Sequence, residues 1–446
     1  MCFFRSIRVK KNIIVFLEKF IRLQEYKYLR IVYAIALIFS FILLIFVIKE
    51  VPDSWSYYSA KDVIMSGHLD YLRMPLYPIL LIITKHIYVT IAVQLLVFYV
   101  SIAYLYKTLI ELKISTRLVF LIMIIYACHP VFMYYQVQLI PESLCISLSS
   151  IFSYYLIAFI KTKRISYCWI FHALILCLFL LKPGCIFLIA VPVMLVFYLF
   201  FAKRKLVLSC FIPLLLVIVT ISGYGFAMKQ TYGAFTFSSV SDINLYWMLR
   251  KTNKIDLNSV KNEELKSFIA DKIELEYEAQ FWLCFDEAST IIDKHGLKSL
   301  RDIVQGSLDS NYKSFLFDGH NLKIVKENLF GFTGRSIDYF GFNESSSKLD
   351  FTDFFPYINF YILFFILIFY TFLIVKQVYM FKNVPVISIL FLLYIAANLI
   401  IIILSAPNNY GRLIVPSVSI ILIVVAQCVE WFVLFIQNNE KQQILS

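Results

Sequence analysis

Ten runs of apolar residues recur along the chain, at approximately 29–49, 86–106, 117–135, 139–160, 166–181, 184–202, 206–227, 354–375, 384–404 and 413–435. Each is near the ~20 residues that a helix needs to cross hydrocarbon. Polar residues collect in the connections. Two connections are long or densely polar: 51–78, and 229–353, which mixes charges of both signs. Within the second, "NEELKSFIADKIELEYEAQFWLCFDEASTIIDKHG" has helical spacing and helix-favouring residues. It therefore reads as an ordered domain rather than a linker. The pattern predicts an all-α polytopic membrane protein of about ten transmembrane helices with an extracytoplasmic, mainly α domain.

The fifth and sixth runs are one apolar stretch split by Lys182-Pro183-Gly184. A tight hairpin there makes two spans; a kink makes one and inverts everything downstream. Positive charge decides. Residues 1–30 carry eight Lys and Arg and are placed inside. With ten spans the inner connections hold Lys107, Lys113 and Arg117, then Lys161, Lys163 and Arg164, then Lys203, Arg204 and Lys205, then Lys376 and Lys382. The short outer connections hold only Lys61, Arg73, Lys85, Lys182 and Arg412. That asymmetry is what the positive-inside rule requires. Nine spans would put Lys203–Lys205 outside.

Three parts follow. Residues 1–228 hold a cytoplasmic amphipathic segment and spans one to seven, with a first outer loop at 51–78. Residues 229–353 form the extracytoplasmic domain. Residues 354–446 hold spans eight to ten and a cytoplasmic tail.

Composition agrees: of 446 residues, 61% are hydrophobic and 16% charged, too apolar for a soluble chain. The net charge of +12 sits in short clusters between apolar runs, which writes topology rather than nucleic-acid binding. Nine cysteines lie mostly inside apolar runs, with no CxxC or CxxH spacing, so they read as buried structural thiols. No GxGxxG or P-loop is present, and no internal repeat suggests an inverted-repeat transporter. High Ile, Lys, Tyr and Phe usage is that of an AT-rich bacterial genome, so the expected setting is the bacterial cytoplasmic (inner) membrane.

On this topology several unusual residues share the outer face: the 51–78 loop with Asp53, His129-Pro130, Pro141-Glu142, Lys182-Pro183, and Asn408 to Arg412. Ionisable groups at the membrane edge are costly and usually face a cavity or a partner. Each also has a plain structural use. Asp53 fits an N-cap. Glu142 fits a first helical turn beside Pro141. Lys182 and Arg412 fit snorkelling to headgroups, and His129 fits an interfacial position. Two acids and two bases converging on one face are harder to account for that way.

"PDSWSYYSAKDVIMSGHLDYLRMPLYPILL" resembles the first outer loop of the GT-C glycosyltransferases, in the group that includes protein O-mannosyltransferases and the aminoarabinose transferase of lipid A. There an acid follows the first span, then an aromatic, then an Arg-x-Pro-x-Tyr-Pro element: here Asp53, Tyr57 and Arg73 to Pro78. "HPVFMYYQVQLIPESL" resembles the second element, a proline and then an acid, Glu142, opening a span. "LKPG" and "GRLIVP" match the family's basic residues and prolines, and "YGAFTFSSVSDINLYWML" is similar to the segment that starts its outer domain. The likeness covers about 30–250 and 405–420.

The resemblance implies transfer of a sugar from a polyprenyl-phosphate-linked donor to a glycan, lipid or protein acceptor at the outer face, with inversion. It implies Asp53 as general base, with Glu142 orienting the acceptor or holding Arg73 or Lys182. It implies Arg412, Lys182 and Arg73 at the donor phosphate, and Tyr57, Tyr77, Tyr410 and His129 at the substrate. Ser54 and Trp55 follow Asp53, so the acid pair of some relatives is missing; no cofactor is firmly implied, and the Asp53 context does not support a divalent metal. A surface-polysaccharide ligase or polymerase, and a polyprenyl-linked glycan transporter or flippase, stay open as alternatives. No nucleic-acid partner is expected.

Overall fold

The structure, a computed structural model, describes residues 27–46, 49–202, 204–260, 262–274, 281–317, 360–381, 385–405 and 415–445. The 1–26 segment, the 318–353 part of the polar domain, Lys203, Lys382, Tyr410 and Arg412 lie outside these residues. All regular structure among the described residues is helical.

In chain order the first half contains α1 (Lys27–Phe46), α2 (Pro52–Met65), α3 (Leu76–Thr84), α4 (Ile87–Glu111), α5 (Thr116–Cys128), α6 (Pro130–Gln136), α7 (Glu142–Thr162) and α8 (Ile165–Leu181). A 3₁₀ segment, Pro183–Ile189, leads into α9 (Ala190–Ala202), and α10 (Arg204–Tyr232) follows. The polar domain contributes α11 (Val240–Lys251), α12 (Glu263–Glu274), α13 (Phe281–His295) and α14 (Leu297–Phe317). The chain closes with α15 (Phe360–Phe381), α16 (Val386–Ser405) and α17 (Val418–Leu445).

Among the described residues, six segments are long and apolar enough to cross a membrane, and four shorter apolar helices accompany them. Together they match the ten apolar runs of the sequence. One run differs. The stretch 117–135 is broken, because α5 stops at Cys128 and α6 starts at Pro130. Proline has no N–H to donate and disfavours a helical residue before it, so His129 is extended, with ψ of 120°.

The chain reverses at Lys182. Cys168, near the start of α8, has its sulfur 3.5 Å from the Ser209 carbonyl and 3.2 Å from the Cys210 sulfur, near the start of α10. Phe179, near the end of α8, meets Phe237, beyond the end of α10. Both ends match only if the intervening segment runs back, so Pro183–Ala202 is a crossing of its own.

Among the described residues, the connections at 111–116 and 161–164 meet at one end. There Lys161 bonds the Glu111 carboxylate at 2.9 Å, and Glu430 accepts from the Ser115 N–H and hydroxyl at 3.0 and 2.6 Å. Lys376 lies 4.6 Å over the Trp431 ring at the same end.

Two separate cores result. One fills the bundle, with Phe98, Phe152, Phe171 and Tyr394 fully buried. The other lies within 234–308 and is built from the apolar faces of α11 to α14, including Tyr246, Ile269, Ile291 and Leu300. An ion pair is buried with it: Arg250 meets Glu287 at 3.1 Å, and the Tyr246 hydroxyl donates to the same carboxylate at 3.2 Å. Gly306 lets α14 close on the Leu257–Ser259 turn; a Cβ there would stand 2.4 Å from that of Ser259.

Candidate active site

The end opposite the basic connections is built around α2. Pro52 opens the helix at a position whose N–H has no helical partner in any case. The Ser54 hydroxyl accepts from the Val51 N–H at 3.0 Å and donates to the Leu139 carbonyl at 3.1 Å. The Leu139 N–H in turn donates to the Lys49 carbonyl at 2.9 Å. The first turn of α2 is thereby fixed to the segment that leads into α7. Gly67, with φ of +86°, lets the chain leave α2 in a left-handed conformation.

Helical spacing puts Asp53, Ser56 and Tyr57 on one face. Arg73 comes back over it. Its guanidinium donates to Asp53 Oδ1 at 3.0 Å and to the Ser56 hydroxyl at 2.7 Å, and stacks 4.6 Å over the Tyr57 ring. Tyr57 is held from below by Tyr77, at 5.0 Å edge to face. Tyr77 is fully buried and donates its hydroxyl to Gln94 Oε1 at 2.7 Å. Gln94, the one glutamine of α4, spends its amide on the Gln136 and Gln138 carbonyls at 3.3 and 2.8 Å. It clamps the turn between α6 and α7.

A second pair lies on that turn. Glu142 starts α7, where the N-terminal dipole favours a carboxylate. Its Oε1 accepts from Lys182 Nζ at 3.0 Å. Its side chain is 1% exposed, against 15% for Lys182. Through Gln94, Tyr77 ties the Tyr57 side of the first cluster to the turn that leads to Glu142, so one tyrosine links the two pairs. Of the residues named from sequence, Asp53, Arg73, Tyr57 and Tyr77 form one cluster, and Glu142 and Lys182 form the other. His129 stands at the α5–α6 break, stacked on Phe132 at 4.4 Å.

The sequence did not single out Ser56, Gln94 or Asp70. Ser56 carried a signal, being one turn from Asp53. So did Gln94, an isolated carboxamide in an apolar span. Tyr58, on the far side of α2, donates to Glu50 at 3.0 Å; burial and that carboxylate push its hydroxyl up to about 12. Among the described residues, no group of three or more His, Cys, Asp or Glu is placed to hold a metal ion.

These features define an integral membrane protein: a helical bundle with charged side chains paired at one end, joined there to a small helical domain. The chain is similar to the crystal structure of the oligosaccharyltransferase of Archaeoglobus fulgidus in its apo form, at 13% identity and a TM-score of 0.48, over 94% of this chain and 52% of that one. It is similar also to the archaeal oligosaccharyltransferase AglB of Archaeoglobus fulgidus in complex with an inhibitory peptide and a dolichol-phosphate, at 13% identity and a TM-score of 0.46, over the same shares of the two chains. The chain spans about half the length of these structures. No protein-family model matches it, and no curated protein matches it in sequence.

Proposed function

We propose that this protein is a membrane glycosyltransferase of GT-C type. It moves a sugar from a polyprenyl-phosphate-linked donor to an acceptor at the face opposite the basic connections. The basic end is cytoplasmic by the positive-inside rule, so the site faces outward. The observation that carries the reading is the Asp53–Arg73 pair at 3.0 Å, seated at the end of the bundle away from Lys161 and Glu111 on a buried aromatic and carboxamide scaffold.

The chemistry requires a base for the acceptor proton and fixed positive charge at the leaving phosphate. In the resting protein Arg73 neutralises Asp53. A donor phosphate competes for the guanidinium, whose planar fork suits phosphate as well as carboxylate. Once Arg73 turns to the phosphate, Asp53 regains its basicity. It takes the acceptor hydroxyl proton as the new C–O bond forms and the anomeric C–O bond to phosphate breaks, so the anomeric centre inverts. The resemblance assigns Lys182 and Arg412 further positive charge at the phosphate. Glu142, buried against Lys182, sets that lysine's position rather than exchanging protons with substrate.

The test is a strain lacking the protein. One glycosyl polyprenyl phosphate should accumulate, and membranes containing the protein should consume it when it is supplied labelled. A lipid pool unchanged by the deletion, with no transfer in membranes, overturns the reading.

A further inference from the structure

Between the two cores runs a five-residue strap, Leu69–Arg73, held from both sides. On the domain side, the Tyr232 hydroxyl donates to the Leu69 carbonyl, the Ser239 N–H to the Tyr71 carbonyl at 2.8 Å, and the Ser238 hydroxyl to the Leu72 carbonyl at 2.7 Å. The Tyr71 and Leu72 side chains pack against the domain's own core. On the bundle side the strap ends in Arg73, on Asp53. In its middle Asp70 folds it: Oδ1 accepts from the Leu72 N–H at 2.8 Å and the Arg73 N–H at 2.5 Å.

Asp70 is 8% exposed. Asparagine can make a turn of this kind without the cost of burying a charge, but a carboxylate holds the two N–H groups more strongly. The charge therefore has a use. Arg73 is thereby tied to two acids, its backbone N–H to Asp70 and its guanidinium to Asp53.

We infer that Asp70 is a positioning residue: it fixes where the Arg73 guanidinium meets Asp53, and through the Tyr71 and Leu72 carbonyls, held by Ser239 and Ser238, it makes that position depend on how the 234–308 domain is seated. The catalytic part of this inference rests on the transferase reading above; the mechanical part does not.

Burial raises the Asp70 carboxyl above the usual range, against the opposing pull of the Arg73 and Leu72 N–H bonds and the Arg73 charge. The groups facing it are Arg73 and Tyr71 on its own loop and Tyr224 and Tyr232 from α10, with Asp293 of α13 acting on Tyr71 and Tyr232 from beyond. A carboxyl raised in the folded state stabilises the fold most at low pH, and that contribution is lost as pH rises through the folded value. Removing the charge thus leaves neutral-pH stability intact or improved. Activity runs the other way, because the strap needs the ionised form.

Asp70→Asn should therefore melt at or above the wild-type temperature, yet turn over about tenfold more slowly with acceptor KM unchanged. Its pH–rate profile should lose the part of the acid limb that Asp70 adds to that of the base Asp53, a part that the wild type and Asp293→Asn both keep. Ser238→Ala, which removes one of the strap's hydrogen bonds to the domain, should lower turnover in the same direction. A second readout needs no turnover: spin labels at Asp62 on α2 and Ser267 on α12 should give a narrow distance distribution in wild type and a broad one in Asp70→Asn. Broadening in a protein that performs no transfer would sink the transferase reading and keep the mechanical coupling. Wild-type turnover and an unchanged distance distribution in Asp70→Asn would sink the inference and leave the transferase reading standing.

Discussion

Two ion pairs of the same 3.0 Å length stand at one end of this bundle, and they are built differently. Glu142–Lys182 joins the first turn of α7 to the reversal after α8, with the acid 1% exposed. Asp53–Arg73 joins a helix turn to a strap, with the two side chains 16% and 19% exposed. The first acid could be replaced by water only by opening the bundle. The cations are about equally exposed, so the difference lies in the acids: Asp53 keeps a wet edge that Glu142 lacks. Burial therefore separates a pair that holds structure from one that can exchange partners.

The largest effect should come from the exchangeable pair and fall on chemistry. Asp53→Asn keeps shape and N-capping capacity but cannot accept a proton. Transfer from a labelled glycosyl polyprenyl phosphate should drop about 10²–10⁴-fold, with expression unchanged on the same membranes. Wild-type turnover in this variant would remove the base assignment and the contrast with it.

The buried pair should respond first in stability. Lys182→Met leaves the Glu142 carboxylate in the bundle without its cation, a loss of about 3–5 kcal/mol. Adding Glu142→Gln should recover most of it, since the uncompensated charge is then gone. Unfolding in mixed micelles gives the comparison directly. A single variant as stable as wild type would mean that Glu142 is not dry, and the two pairs would no longer differ.

Part of this site can be read from the sequence. Ten apolar runs of membrane length are a one-dimensional signal, and so is the alternation of Lys and Arg between them. Together these also place Asp53, Glu142 and Lys182 at one end. The hairpin at Lys182-Pro183 follows from charge alone, and the Cys168–Cys210 approach gives the same chain direction. Pairing is another matter. Asp53 and Arg73 are twenty residues apart and Glu142 and Lys182 are forty apart; nothing local says which acid meets which base. The strap was equally hidden. Asp70 in "HLDYLR" looks like any turn residue until Ser238 and Tyr232, more than 160 positions on, close over it. The His129 break was half visible, because Pro130 marks a place where a helix cannot run through without loss.

The tyrosine that links the two pairs gives an intermediate case. Tyr77→Phe keeps the ring under Tyr57 but leaves Gln94 Oε1 buried without its donor. The expected cost is about 1–3 kcal/mol in stability, with turnover within a few-fold of wild type because Arg73 keeps its ring and its acid. A large loss of turnover at unchanged stability would move Tyr77 from scaffold to substrate contact.

The smallest effect should be the contribution of Asp53–Arg73 to the fold. Breaking it by Arg73→Met also removes the stacking on Tyr57, worth about 0.5–1 kcal/mol by itself, so a single variant overstates the pair. A double-mutant cycle with Asp53→Asn isolates it. When Arg73 is gone the Asp53 carboxylate can rehydrate at its exposed edge, a recourse that Glu142 lacks. The coupling should therefore be about 1 kcal/mol or less, several-fold below that of the buried pair at the same distance. Equal couplings would mean that both pairs are locked, and that no phosphate could draw Arg73 away at an accessible cost. A weak coupling, beside a large catalytic loss in Asp53→Asn, is the combination that an exchangeable pair requires.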